Sequence, residues 1–258
     1  MDFEFVLFIG GIVGSILLLI LFGVILRPYF QRRFEEQKMK MRDEVMARGW
    51  TYDASMEVIP DQEEHHFSGE KSGIQWKYDI ELWHDSGGDN KRFSRWHTES
   101  VTLPGEAVLI LPNFGGATFQ IGDSTQPLGQ QTGMMGMVMN MLLKFLVTQV
   151  LQADASDAEL LKGVRVVQAG GAMLREKYVI MGSDENSAGR LLDSDAETVL
   201  LEWAAQFNSR THPKLTAIVF WQKGLSISIG YPTYDLNMVE KVVDLGLALA
   251  SGQKGSGW

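Results

Sequence analysis

The sequence predicts an α+β fold, in which a single N-terminal transmembrane helix precedes a mixed antiparallel-sheet domain with packed helices. Three observations lead there. Residues 5–26 are twenty-two consecutive residues without a charge. Further on, apolar and polar residues alternate with period two in several short runs, as in strands with one buried face. Two later stretches repeat apolar residues at helical spacing, and strands come in runs rather than one per helix, which favours α+β over α/β.

The first element is an anchor over residues 1–26. Twenty-two helical residues rise about 33 Å, enough for a hydrocarbon core of about 30 Å. A cleaved signal peptide would start basic, carry a shorter apolar core and end in small residues. Here the start holds Asp2 and Glu4, and Arg27-Pro28-Tyr29-Phe30 follows the apolar run. Within that run Gly10 and Gly14 make a GxxxG, and Gly11 with Ser15 repeats the small-xxx-small spacing, a pattern that lets helices approach closely but also recurs by chance.

Residues 27–50 follow as a basic juxtamembrane helix, with Arg27, Arg32, Arg33, Lys38, Lys40, Arg42 and Arg48 against Glu35, Glu36, Asp43 and Glu44. Cationic residues stay on the cytoplasmic side, so the expected placement is the cell inner membrane, N-terminus outside and main domain inside. Arg27, Arg32 and Arg33 are expected at anionic headgroups, with Tyr29 and Phe30 at the interface. Pro28 kinks or restarts the helix there.

The domain proper is expected over 51–250. Residues 66–71 and 74–83 flank a Ser72-Gly73 turn, and Ile74, Trp76, Tyr78, Ile80 and Leu82 alternate with polar neighbours. A third strand falls near 93–103 and a fourth, apolar throughout and so central, at 107–111. Residues 164–168 and 177–181 read as strands. Ser194-Asp-Ala-Glu197 reads as a capping box opening a helix that carries Val199, Leu200, Trp203, Ala204 and Phe207 on one face. A hairpin over 215–222 and 225–230 turns at Lys223-Gly224. A last helix over 236–250 buries Met238, Val239, Val242, Leu245, Gly246 and Leu249, and 251–258 reads as a flexible tail.

An insertion at 133–152 stands apart. GMMGMVMNMLLKFLVTQVL holds five methionines and one charge. Three environments would cover such a helix: the domain's own core, a second span with Lys144 at its centre, or a bilayer surface or partner. Methionine adapts to irregular contacts, so Met134, Met135, Met137, Met141, Leu142 and Phe145 are the expected partner or membrane contacts.

Composition excludes more chemistry than it offers. The net charge of −9 argues against nucleic-acid binding, and the absence of cysteine removes disulfides and thiolate sites. Among the histidines, His84 and His97 flank one loop with Glu63, Glu64 and Asp85 in range, yet no spacing fixes a metal site. No nucleophile elbow or phosphate-binding loop is present. No catalytic residue, cofactor or metal ligand is assigned.

The anchor, the strand pair around Phe67-Ser-Gly-Glu-Lys-Ser-Gly-Ile74 and the run YVIMGSDENSAGRLL with its following helix and hairpin resemble the bacterial membrane-anchored family called domain of unknown function 3137. The resemblance covers about 66–111 and 177–230. It implies a membrane-tethered α+β domain of unassigned biochemistry, carries over no catalytic residue, and leaves 113–160 as a departure. The expected role is an interaction or accessory subunit of a membrane assembly, with the lipid bilayer and other membrane proteins or a second copy as partners. The alternative is a tethered sensor domain that binds a small ligand or lipid.

Overall fold

The computed structural model describes residues 14–15, 27–57, 61–84, 90–113, 127, 161–206, 215–230 and 234–254. Its chain order is α1 (Arg27–Met46), β1 (Thr51–Glu57), β2 (Asp61–Lys71), β3 (Ile74–His84), β4 (Asn90–Thr98), β5 (Val108–Pro112), β6 (Arg165–Val166), α2 (Ala172–Lys177), β7 (Tyr178–Gly182), α3 (Glu185–Leu191), α4 (Ser194–Gln206), β8 (Leu215–Trp221), β9 (Gly224–Ile229) and α5 (Leu236–Lys254). One nine-stranded sheet runs β1-β2-β3-β4-β9-β8-β5-β7-β6. Each pairing is antiparallel.

The predicted fold class needs correcting at its head. Among the described residues no helix is long and apolar enough to cross a membrane. The two longest explain why: α1 is dense with Arg, Lys and Glu, and α5 is amphipathic, with Glu240, Lys241 and Asp244 on its exposed side. The supported class is α+β on a wholly antiparallel sheet rather than a mixed one. Of the expected anchor, Gly14 and Ser15 are described and helical; the remainder of 1–26 lies outside the described residues, as does 133–152.

Local chemistry sets the turns. Ser72 and Gly73 both have positive φ, 54° and 71°, the combination a two-residue hairpin needs to match strand twist. Helix α1 ends at Gly49 (φ 75°), where the Gly49 amide reaches the Met46 carbonyl and the Trp50 amide the Val45 carbonyl. At α4 the expected capping box is displaced. Asp193, one residue earlier, accepts from the Ala196 amide at 2.9 Å, and Glu197 turns away to accept from the Gly171 amide at 2.9 Å.

Period two then separates the faces. Phe67, Tyr78, Trp96, Ile227 and Ile218 are register partners in one row across β2, β3, β4, β9 and β8 and lie in the main core. Helices α1, α4 and α5 contribute Val45, Leu200, Val239 and Val242 to that core. The opposite face is divided. On β8, β5 and β7 it carries a second apolar cluster, including Leu109, Met181, Val219 and Trp221. On β2, β3, β4 and β9 it carries His66, Asp79, Arg95, His97, Ser226 and Ser228.

Helix α5 crosses the core closely because Gly246 has no side chain. A Cβ there would lie 2.5 Å from the ring of Trp96, which is fully buried. Alanine favours a helix over glycine by about 1 kcal/mol, whereas overpacking against a rigid core ring costs about 1–3 kcal/mol. Gly246→Ala is therefore expected to lower stability by about 1 kcal/mol, read as a lower urea midpoint at unchanged slope.

Candidate functional site

Helix α1 approaches the sheet through residues four, three and four apart. Phe34, Lys38, Met41 and Val45 fall on one stripe, with Phe34 and Val45 buried and Met41 half-buried. They meet β1, the edge strand, and its neighbour β2. Lys38 carries the polar part of this contact. Its Nζ donates to Asp53 Oδ1 at 2.9 Å and to the Ala54 carbonyl, and that hydrogen bond holds the Asp53 carboxyl below its ordinary pKa.

Beneath α1 lies a cavity of about 480 Å³. Phe34, Met41, Tyr52 and Tyr234 form its apolar wall, and Gln37, Lys38, Lys40, Glu44, Glu63 and His65 the rest. His65 is the central group, only 5% exposed. It falls on the core face of β2 because it is two residues from Phe67, which points into the core. Both ring nitrogens are engaged: Nδ1 with the Tyr52 hydroxyl at 2.6 Å and Nε2 with Glu63 Oε1 at 2.6 Å.

Rings enclose His65 on three sides. Tyr52 stacks at 5.9 Å between centroids, Tyr234 meets it edge-on at 4.8 Å, and Phe34 edge-on at 6.1 Å. Burial, with the charges of Glu63 and Asp53 nearby, pushes the Tyr52 phenol far above its ordinary pKa. The phenol is therefore a neutral hydrogen-bonding group at any physiological pH. The cavity is concave and of small-molecule size, and it sets an aromatic and thioether wall against polar and charged side chains, a lining suited to an amphipathic guest.

A second polar cluster lies on the opposite face. Asp79, with its side chain 12% exposed, is the register partner of both His66 and Arg95. His66 Nδ1 lies 2.8 Å from Asp79 Oδ1, while Arg95 Nη2 and His97 Nδ1 lie 3.7 and 3.5 Å from Asp79 Oδ2. Beside it is an open groove of about 560 Å³, lined in part by Ser68, Gln75, Lys77, His97 and Ser100. Among the described residues no group of three or more His, Asp or Glu side chains is placed to hold a metal ion.

The histidine pair weighed from sequence does not come together. His84 pairs with Asn90 at the loop end of the β3–β4 hairpin, whereas His97 pairs with Lys77, seven residues away along β3. At about 3.4 Å per residue the two sit roughly 24 Å apart along the strands. The juxtaposition that does occur, His66 and His97 around Asp79, is set by register across three strands. The expected interfacial residues are placed as follows. Tyr29 is 57% exposed, Arg33 is exposed, and Arg32 is exposed and paired with Glu36 at 3.1 Å. Arg27 and Phe30 lie in α1, their side chains not among those described. Gly14 is half-buried and Ser15 exposed. Gly10, Gly11, Met134, Met135, Met137, Met141, Leu142 and Phe145 lie outside the described residues.

Sequence reasoning missed Tyr52 and Tyr234, gave His65 no particular role, and took Glu63 only as a neighbour of a possible metal site. A signal for Tyr52 was present. Tyr52, Ala54 and Met56 alternate with Thr51, Asp53, Ser55 and Glu57, the pattern of the strand that forms there. Nothing local marks Tyr234, which reaches His65 across the fold.

No family model matches the chain, and no curated protein matches it. Among solved structures the chain is similar to the mycobacterial trehalose monomycolate transport factor A, TtfA, at 7% sequence identity and a TM-score of 0.39, over 83% of this chain and 93% of that one. A likeness this slight bears on neither fold nor function.

The two histidines at Asp79 shift in opposite directions. Burial pulls the His66 pKa down, but its hydrogen bond to Asp79 and the charges of Asp79 and Glu64 outweigh it, and the net shift is upward. Burial and the Arg95 charge hold His97 below its ordinary value despite Asp79. A raised His66 stabilises the fold fully below the ordinary histidine pKa, and that contribution is lost as pH rises through the folded value. A depressed His97 contributes above the ordinary value, and its contribution is lost as pH falls through the folded one. Urea midpoints measured from about pH 5 to 8 should therefore show His66→Gln losing most at the acid end. His97→Gln should behave the opposite way, gaining on wild type as the pH drops.

Proposed function

We propose that this chain is a ligand-binding protein that holds a small amphipathic molecule in the cavity between α1 and the β1–β2 edge. One observation carries the reading: a buried histidine, fixed at both nitrogens, forms the polar floor of a cavity that sets three aromatic rings and Met41 beside the polar side chains of α1. A buried imidazole of this kind adds little to a core that apolar side chains would fill as well, since a net hydrogen bond is worth about 1 kcal/mol. Set beside an open volume, it supplies orientation to a guest. Phe34, Met41 and Tyr234 would take the apolar body, and the Tyr52–His65–Glu63 chain the head. The residues expected to contact partners in an accessory subunit lie largely outside the described ones and add no support to that role.

The test uses the full chain and four ten-carbon probes: decanol, decyl methyl ether, decanoate and decylamine. At a hundred times its dissociation constant a probe stabilises the folded state by about 2.7 kcal/mol, well within reach of thermal unfolding. At least one probe should raise the unfolding midpoint and move the His65 ring resonances. Gln37→Trp, which places a large ring in the cavity from an exposed helix position, should abolish both effects while leaving the fold intact. Probes that stabilise wild type and Gln37→Trp equally would place binding elsewhere and defeat the proposal.

A further inference from the structure

The hydrogen-bond arithmetic at His65 selects the chemistry of the ligand's head, and this step rests on the pocket reading above. Glu63 as a carboxylate has no proton to give. Its 2.6 Å contact with His65 Nε2 therefore requires the proton to sit on Nε2. In the neutral ring Nδ1 is then a bare lone pair. The 2.6 Å contact between Nδ1 and Tyr52 Oη is made by the phenol donating its only proton to the ring.

Counted outward, the Tyr52–His65–Glu63 chain has no donor left for a guest; the remaining donors of the lining are Gln37, Lys38 and Lys40 on α1 and the Tyr234 hydroxyl. The Tyr52 oxygen keeps lone pairs alone, and the phenol stays protonated because burial and the nearby Glu63 and Asp53 charges oppose its ionisation. The Glu63 carboxylate, whose side chain is 32% exposed, offers acceptor oxygens. Lys38 gives two of its three protons to Asp53 and to the Ala54 carbonyl. The charged residues lining the cavity are Lys38, Lys40, Glu44 and Glu63, equal numbers of each sign.

We infer that the cavity takes an amphiphile with an uncharged hydroxyl head, which donates its hydrogen bond to the acceptors of Tyr52 and Glu63. A carboxylate head placed at this chain would be repelled by Glu63 and find no donor in it, and would have to turn away to Gln37 or Lys40 on α1. An ether would leave the same acceptors unpaired after they lose their water. An ammonium would donate but would bring a charge into a wall that is already balanced. Phe34 and Tyr234 flank His65 edge-on, so a head that reaches the chain lies against rings on two sides.

Two measurements on the full chain decide it. Nitrogen-15 shifts of the His65 ring should show a protonated Nε2 and a bare Nδ1 in the unliganded protein. The reverse tautomer would turn the Tyr52 hydroxyl toward the cavity and overturn the inference at once. Decanol should bind at least about tenfold more tightly than decyl methyl ether, decanoate or decylamine, the equivalent of one lost hydrogen bond or one unpaired polar group. Any of the three matching decanol overturns the hydroxyl head while leaving the pocket standing. No binding by any probe overturns both. In Glu63→Gln the side-chain amide can donate to Nε2, which frees the ring to protonate Nδ1 and releases the phenol's proton to the cavity. The preference for decanol over the ether should therefore shrink by about tenfold. A purely structural Glu63 would weaken all the probes alike.

Discussion

Strand β1 ends the sheet, and an uncovered strand edge offers unpaired carbonyls and amides to anything extended that approaches it. In this chain α1 lies across that edge. Burying Phe34 and Val45 contributes about 1.5–3 kcal/mol each, whereas the Lys38–Asp53 pair, with Asp53 80% exposed, is worth at most about 1 kcal/mol. Apolar burial therefore holds the helix, while the lysine fixes its height by donating to the edge carbonyl of Ala54. The cavity follows from that docking. The stripe touches the sheet at Val45 near one end and at Phe34 near the other, and the volume over His65 runs along the helix between them, from Phe34 to Glu44.

The antiparallel register does the rest. His65 and His66 are adjacent, so they point to opposite faces and meet opposite fates. His65 enters an aromatic enclosure as a hydrogen-bond relay between Tyr52 and Glu63. His66 faces outward onto the row of Asp53, Asp79 and Arg95 and is held toward its charged form. A slip of one residue between β2 and its neighbours would exchange them, placing a charge-bearing imidazole in the core and emptying the pocket floor. The Ser72-Gly73 turn, with both φ values positive, fixes the β2–β3 register and so determines which histidine is which.

Much of the sheet was legible in the sequence because its signal is local. Alternation over 74–83, the Ser72-Gly73 and Lys223-Gly224 turns, and the apolar run at 107–111 appear as β3, two hairpins and the buried β5. The short helices α2 and α3 escaped notice, since at six and seven residues they are too brief to show a periodic face. The expected capping box failed by one residue because Asp193 caps more readily than Ser194 once Glu197 has a distant partner in Gly171. The functional site was nearly illegible. Tyr52, Glu63, His65 and Tyr234 are brought together by a strand pairing, a helix docked across an edge and a segment from the far end of the chain. No spacing encodes that. The transmembrane head of the predicted fold class rested on hydropathy in residues 5–26, while the described helices turn their apolar stripes onto a sheet.

Whether α1 covers the edge of the sheet can be measured directly, because the chain contains no cysteine of its own. Single cysteines at Phe34 and Val45, which line the contact, are compared with one at Met39, which is 59% exposed, for their rate of thiol labelling under native conditions. If α1 is docked as described, the cysteine at Met39 reacts at the rate of a free thiol and those at 34 and 45 react only as fast as the helix detaches, slower by orders of magnitude. Equal rates at all three would mean that α1 stands free of the sheet, and the pocket would not exist.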